Sequence, residues 1–313
     1  MNPQRTTTRI TKAVASPFGQ PHPLPVIPAV KDTPAVARPL VSVIVTTRNN
    51  HQTLNACLSS IAQQSYAPIE LIVVDRDSSD GTKLIARYYT DSVFNHGPER
   101  SAQRNFGVSK AAGDFVLIID SDMELTRDVV RDCVDVLCYK PDCAGVIIPE
   151  ESFGKGFWAR CKQLERSFYR GNDSLEAARF YPKKLYQQLG GYDEAMVSGE
   201  DWDLSARARA TGRIERISAH INHNEGRLKL LRSLRKKYYY AGLARNYLRK
   251  NRISSKLTAD AGPVQRYKLF LSQPKKLFRN PVAGVGMLVM KTCEFGFGAF
   301  GYALSSGRKR GSE

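Results

Sequence analysis

From Leu40 onward the chain alternates between two hydrophobic spacings. Val41–Thr46, Ile69–Val74, Phe115–Ile119 and Ala144–Ile148 are apolar or β-branched runs of strand length bounded by polar turns, and Ser92–Asn95 is a shorter one. Between them, Thr53–Gln64 sets Leu54, Cys57, Leu58 and Ile61 at helical spacing, and Thr82–Tyr89 and Ser101–Ala112 also read as helices. Thr126 is placed to cap a further helix carrying Val129, Val130, Cys133, Val136 and Leu137. Strand and helix thus alternate at least four times within about 110 residues, which predicts an α/β domain with a mostly parallel, helix-covered sheet. Such sheets bind ligands at the carboxyl ends of their strands.

Two acidic turns fall at those ends. The strand at residues 116–119 runs into Asp120 and Asp122, two carboxylates one residue apart, which together make a hard oxygen-rich site for Mg2+ or Mn2+. Asp75 closes the strand Ile69–Val74, so the topology brings it toward the same pocket. The GxGxxG and GxxxxGK[ST] signatures are absent, which argues against dinucleotide-binding and P-loop enzymes.

Five segments, in order, carry a family resemblance. They are Val-Ser-Val-Ile-Val-Thr-Thr-Arg-Asn (41–49), Ile-Val-Val-Asp-Arg-Asp-Ser-Ser-Asp-Gly-Thr (72–82) and Ser-Ala-Gln-Arg-Asn-Phe-Gly (101–107). Asp-Ser-Asp (120–122) follows, then Leu-Gly-Gly-Tyr-Asp-Glu (189–194) leading to Gly-Glu-Asp-Trp-Asp-Leu (199–204). Over roughly residues 40–225 the chain resembles the family 2 glycosyltransferases of GT-A fold, inverting enzymes that use a nucleotide-diphosphate sugar. The resemblance implies that Asp75 accepts hydrogen bonds from the base, that Thr46 contacts the nucleotide beside it, and that Arg104 lies near the diphosphate. It implies that Asp120 and Asp122, completed by His223, hold the divalent ion, with Asp120 also reaching the ribose. It points to Asp201 as the base that takes the acceptor proton, with Glu200 aligning the acceptor. A helix N-terminus stabilises both as anions. Arg76 and Asp77 replace the second Asp and the Gly of the family's usual Asp-Asp-Gly-Ser turn, which leaves the base identity and the turn geometry open.

Charge and composition place the enzyme. The net charge of +17 calls for an anionic partner, and 42% hydrophobic content suffices for a core. The six cysteines form no CxxC pair and read as buried thiols of a reducing compartment. Residues 1–39 hold eight of the sixteen prolines and read as a disordered leader without the apolar core of a signal peptide, so the catalytic part is expected to stay in the cytoplasm. Residues 40–225 form the expected catalytic domain and 226–280 a basic helical region. Thirteen Lys or Arg fall within Arg213–Lys256, and Leu228, Leu231, Leu234 and Tyr238 recur at helical spacing.

Residues 281–304 are the longest apolar segment, and 305–313 a basic tail. Lys291 and Glu294 at the centre of 281–304 weigh against a simple span, because a central Lys costs about 2.5–3.5 kcal/mol on insertion. A segment lying in the interface, or a re-entrant hairpin broken at its glycines, is expected instead. A metal-dependent inverting glycosyltransferase at the cytoplasmic face of the membrane is therefore expected. It takes a nucleotide-diphosphate sugar donor and a lipid-linked or polysaccharide acceptor, rests on an anionic membrane surface, and has no nucleic-acid partner. The alternatives are a polyprenyl-phosphate glycosyl synthase and, outside enzymes, a basic nucleic-acid-binding protein.

Overall fold

Val41–Thr47 is buried at every residue, and its side chains divide by strict alternation: Val41, Val43 and Val45 enter one core and Ile44 the other. That is the signature of a strand covered on both faces. The same division holds in Leu71 and Val73 against Ile72 and Val74, and in Leu117 and Ile119 against Val116 and Ile118. The computed structural model describes residues 38–196, 198–251 and 262–304, with side chains from 242 to 251 left aside; residues 1–37 of the expected leader and the basic tail fall outside.

The first half is built from β1 (Val41–Thr47), α1 (His51–Ala62), β2 (Ile69–Asp75), α2 (Thr82–Tyr89), β3 (Val93–Asn95), α3 (Arg100–Lys110), β4 (Phe115–Asp120), β5 (Met123–Leu125) and α4 (Val129–Tyr139). There follow β6 (Cys143–Ile147), β7 (Glu150–Lys155), α5 (Phe157–Ser167), β8 (Ala178–Pro182), α6 (Lys183–Gln188), α7 (Glu200–Arg209), β9 (Arg213–Arg216) and β10 (Ile221–Arg227). The remaining helices are α8 (Leu230–Asn251), α9 (Pro263–Leu271), α10 (Pro274–Leu277) and α11 (Pro281–Leu304).

The main sheet has the order β3-β2-β1-β4-β8-β6-β9, and a small sheet has the order β5-β10-β7. Pairing is parallel from β3 to β4, and β8 is inserted antiparallel between β4 and β6. The parallel, helix-covered sheet expected from the alternation is therefore present, and the reversed strand β8 is what the alternation did not reveal. Thr126 does not cap α4, whose N-cap Asp128 makes no side-chain cap bond; its hydroxyl donates instead to the His220 carbonyl. Cys57, Cys133, Cys143 and Cys161 are buried free thiols.

The C-terminal helices share a third core with α5, formed by Cys161, Phe168, Tyr169, Leu175, Phe270, Leu277, Met287 and Met290. α11 is one continuous helix, so the expected break at its glycines does not occur. Those glycines serve close packing: a Cβ on Gly286 would stand 2.4 Å from the Phe157 ring, and one on Gly301 would stand 2.3 Å from the Tyr238 carbonyl of α8. Lys291 and Glu294 face inward. Lys291 Nζ lies 2.5 Å from Glu165 Oε1 and 2.9 Å from Glu294 Oε2, and Lys162 pairs Glu165 at 2.9 Å. The opposite face of α11 presents Val282, Val285, Val289, Phe297, Phe300 and Leu304 to the exterior. Among the described side chains of α8 the buried leucine is Leu234; Leu231 is exposed and Leu228 precedes the helix.

Candidate active site

Register places the acidic strand ends side by side. Thr47 of β1 pairs with Asp75 of β2, and Thr46 pairs with Asp120 of β4. α3 lies close over this edge because Gly107 permits it: a Cβ there would stand 2.4 Å from Ile44 Cγ2. From that position the Ser-Ala-Gln-Arg-Asn-Phe-Gly segment reaches every other conspicuous motif. Gln103 Nε2 donates to the Thr47 and Val74 carbonyls at 3.1 and 2.8 Å. Asn105 clamps the Gly-Gly-Tyr loop, accepting from the Tyr192 amide at 2.9 Å and donating to its carbonyl at 2.8 Å. Arg104 joins Asp120 to the start of α7.

Arg104 is the centre of the charge arrangement. It is wholly buried, with Nη2 2.9 and 3.1 Å from the two Asp120 oxygens, and Nη1 2.9 Å from Asp201 Oδ1 and 3.2 Å from Glu200 Oε1. Its guanidinium carbon sits 4.9 Å from the centroid of the Tyr192 ring. Burial alone would favour the neutral form, but the Asp120 and Asp201 charges outweigh it and hold the group above its ordinary value. Burial likewise pushes the Asp120 carboxyl up, yet Arg104, Arg100 and Arg179 hold it well below the usual carboxylate range.

The structure bears on two expectations here. Arg104 was placed near the diphosphate; its Nη atoms hold three carboxylates and its face meets the Tyr192 ring, while its Nε is buried without a partner. Asp120 was placed beside Asp122 as a metal ligand. Both its oxygens engage Arg104, and the Thr46 hydroxyl donates to Oδ1 at 3.2 Å. Among the described residues, no group of three or more His, Cys, Asp or Glu side chains is gathered closely enough to hold a metal, so the expected Asp120, Asp122 and His223 triad is not assembled.

What remains is a pair. Asp122 Oδ2 stands 3.5 Å from His223 Nε2, close enough for both to ligate one ion. On the far side of the ring, Nδ1 lies 3.4 Å from Glu150 Oε2 without forming a hydrogen bond, the place of the carboxylate that commonly orients a ligating histidine. Burial disfavours a charge on His223, but Asp122 and Glu150 raise the imidazole to about 10. The two carboxylates thus favour positive charge at this point, which an imidazolium or a divalent ion would supply. The donor set fits Mg2+ or Mn2+, since such ions take one or two protein carboxylates and fill the rest of their shell from substrate phosphates and water.

Asp75 ends β2 with its carboxylate buried, accepting from the Ser78 amide at 2.8 Å and from the Ser78 hydroxyl. The unusual turn after it is accommodated at Asp77, which adopts φ +47° and is held by Asn95, whose Oδ1 accepts from the Asp77 amide at 2.9 Å. Asp can take this left-handed conformation where the family pattern has Gly. α7 begins at Glu200 after Gly199, whose φ of +84° suits glycine, and neither acid makes a side-chain cap. Burial and the neighbouring Asp201 charge push the Glu200 carboxyl up. Asp201 is partly exposed, and with Trp202 it lines a cavity of about 240 Å³ that also touches Asp120, Glu150, Arg179 and His223. That volume is below the ~300–1,000 Å³ of usual small-molecule pockets, so it suits one ring or group and not a whole nucleotide sugar. Glu150 and Arg179, paired at 2.7 Å, escaped the sequence reading. Their signal was a lone Arg inside the apolar run Ala-Arg-Phe-Tyr-Pro and an acid three residues past the strand ending at Ile147.

Residues 42–195 match the family model described as glycosyl transferase family 2. The chain belongs to glycosyl transferase family 2. It is a glycosyltransferase. A PGL/p-HBAD biosynthesis glycosyltransferase of Mycobacterium bovis (strain BCG / Pasteur 1173P2) is 27% identical over 184 residues, 55% of this chain and 70% of the relative. A GalNAc(5)-diNAcBac-PP-undecaprenol beta-1,3-glucosyltransferase of Campylobacter jejuni is 34% identical over 97 residues, covering 28% of this chain and 31% of the relative. Among solved structures, a mannosyltransferase from Pyrobaculum calidifontis in complex with GDP-Man and Mn2+ aligns with a TM-score of 0.51 at 18% identity, over 87% of this chain and 82% of that one, a likeness of fold.

Proposed function

We propose that this family 2 glycosyltransferase moves a sugar from a nucleotide-diphosphate donor to a hydroxyl of a lipid-linked or polysaccharide acceptor, with inversion, at the cytoplasmic face of a membrane. The observation that carries the reading is Asp201: a carboxylate fixed by Arg104 and lining a cavity that His223, the partner of Asp122, also lines. A single carboxylate on the acceptor side is what a one-step displacement needs. Asp201 takes the hydroxyl proton as the new bond forms, while Arg104 keeps it in place and the N-terminus of α7 favours its anion. Glu200, buried and bound to the same guanidinium, positions that end of the helix. Asp75 at the end of β2 is the residue assigned to the base and Thr46 its neighbour. A divalent ion held by Asp122 and His223 would supply Lewis-acid stabilisation of the departing nucleoside diphosphate.

The acceptor class draws on the relatives, one of whose names specifies an undecaprenol-diphosphate-linked glycan. Membrane association draws on α11, whose outward stripe of Val and Phe runs its length beside α8 with exposed Arg232, Arg235 and Lys236. Both support a peripheral seat on an anionic bilayer. The test is a panel of nucleotide sugars incubated with the full chain, with Mn2+ or with chelator. Release of nucleoside diphosphate from one donor only when metal is present supports the reading; equal release in chelator removes the metal from it.

A further inference from the structure

The cavity beneath α7 has a wall that the proposed transfer does not use. Arg179 on β8 is 7% exposed and directs Nε and Nη2 to Glu150, yet its Nη1 is buried with no hydrogen-bond partner. Arg166, at the end of α5, lines the same cavity. Its Nε is also buried and unpartnered, and among the described residues it forms no ion pair. Buried guanidinium N–H groups left without acceptors are rare in folded proteins, and two on one cavity wall ask for an anionic ligand with several oxygens. Glu150, with Glu225 and Glu165, balances the Arg166 charge and pairs with Arg179, yet no acid of the cavity accepts from Arg166 Nε or Arg179 Nη1; Asp120, Asp201 and Glu200 engage Arg104, and Glu176 engages Arg216.

Arg179 shares Glu150 with His223, so this wall adjoins the ion-binding pair, and Arg166 is what ties it to the acceptor side. His223, the partner of Asp122, lines the cavity from β10, whereas Arg166 belongs to α5, the helix that packs against α11 through Cys161 and Glu165. α11 is also the helix with the outward apolar stripe. We propose that Arg166 and Arg179 form a phosphate subsite for the acceptor, gripping the phosphate of an amphiphilic acceptor whose apolar part lies toward α11. This rests on the lipid-linked acceptor reading above and assigns the residues that recognise it.

The test is calorimetry on the full chain with geranyl phosphate, geraniol and inorganic phosphate, in the presence and absence of saturating UDP and GDP. The wild type should bind geranyl phosphate about 10–100-fold more tightly than geraniol, the usual margin for charge-assisted hydrogen bonds to a phosphate. Arg166→Met should lose that margin, and Arg166→Lys should regain part of it. Nucleotide affinity, measured on the same samples, should stay unchanged and reports that the fold persists. Equal geranyl phosphate affinity in wild type and Arg166→Met would overturn the subsite. Displacement of geranyl phosphate by UDP or GDP would overturn its assignment to the acceptor and give the arginines to the donor. Inorganic phosphate binding as tightly as geranyl phosphate would overturn the amphiphilic part. A chain that bound neither nucleotide would instead count against the donor reading, which the phosphate titration does not depend on.

Discussion

Replacing Arg104 by methionine removes the guanidinium that bonds Asp120, Asp201 and Glu200 directly, at separations of 2.9, 2.9 and 3.2 Å. Methionine keeps the apolar stem and leaves three carboxylates in a buried space. Breaking a buried pair from one side costs about 3–5 kcal/mol. With roughly 2–4 °C of Tm per kcal/mol in a chain of this size, the expected fall is about 6–20 °C. The pH dependence gives the sharper signature. In the wild type the Asp120 carboxyl is depressed, so its contribution is present above the unfolded value of about 3.9 and is lost as pH falls through the folded one. In the variant the three acids repel one another and their folded values rise above the unfolded ones. That contribution is lost as pH rises. The gap in Tm between wild type and Arg104→Met should therefore widen from pH 5 to pH 8. Arg104→Lys, which keeps the charge but cannot bridge Asp120 and Asp201 with a planar fork, should fall between the two. Thermal melts at three pH values decide the matter. A gap that is absent, or that does not vary with pH, would refute the placing of Arg104 at the centre of the acid cluster.

Asp122→Ala and His223→Ala should each weaken Mn2+ binding about 10-fold or more, read by titration with the nucleotide present, while Asp120→Asn should change it far less; the reverse order would restore Asp120 as the ligand. Lys291→Met should destabilise the chain by about 3–5 kcal/mol in urea melts by removing half of the Glu165 pairing and the nearer cation of Glu294, whose other cation, Lys162, stands 3.5 Å away. Lys291→Met with Glu294→Leu should recover most of that loss because Lys162 still pairs Glu165, and a double variant worse than the single one would contradict the account of that cluster. Full-length protein should remain on anionic liposomes in 1 M salt, where screening shortens to about 3 Å, whereas Val285→Glu with Phe297→Glu should come off. Equal retention of both would remove the outward stripe of α11 from membrane binding.

Much of the fold was legible because the early strands are buried on both faces. Their apolar runs at 41–46, 69–74 and 115–119 have no reading other than strands of a covered parallel sheet. β8 was not legible: Ala-Arg-Phe-Tyr-Pro is short and carries a charge, and its antiparallel insertion depends on partners far away in the chain. The site was legible as residue types at strand ends and at a helix start. Which acid meets which base is a matter of tertiary distance, so Arg104 was recognised while its three carboxylate partners were not. The glycines of 281–304 misled for a related reason. Glycine reads locally as a helix breaker, but it also lets two helices approach, and the contacts of Gly286 and Gly301 decide between these uses only once Phe157 and Tyr238 are beside them.

The central claim is that transfer takes place in the cavity beneath α7, with Asp201 as the base. Asp201→Asn tests it most directly, with donor affinity by calorimetry and turnover at saturating donor measured on the same preparation. Donor affinity should hold, and turnover should fall about 10²–10⁴-fold, the usual contribution of a general base. Normal turnover at saturation with weakened donor binding would contradict the claim and make Asp201 a donor-binding residue.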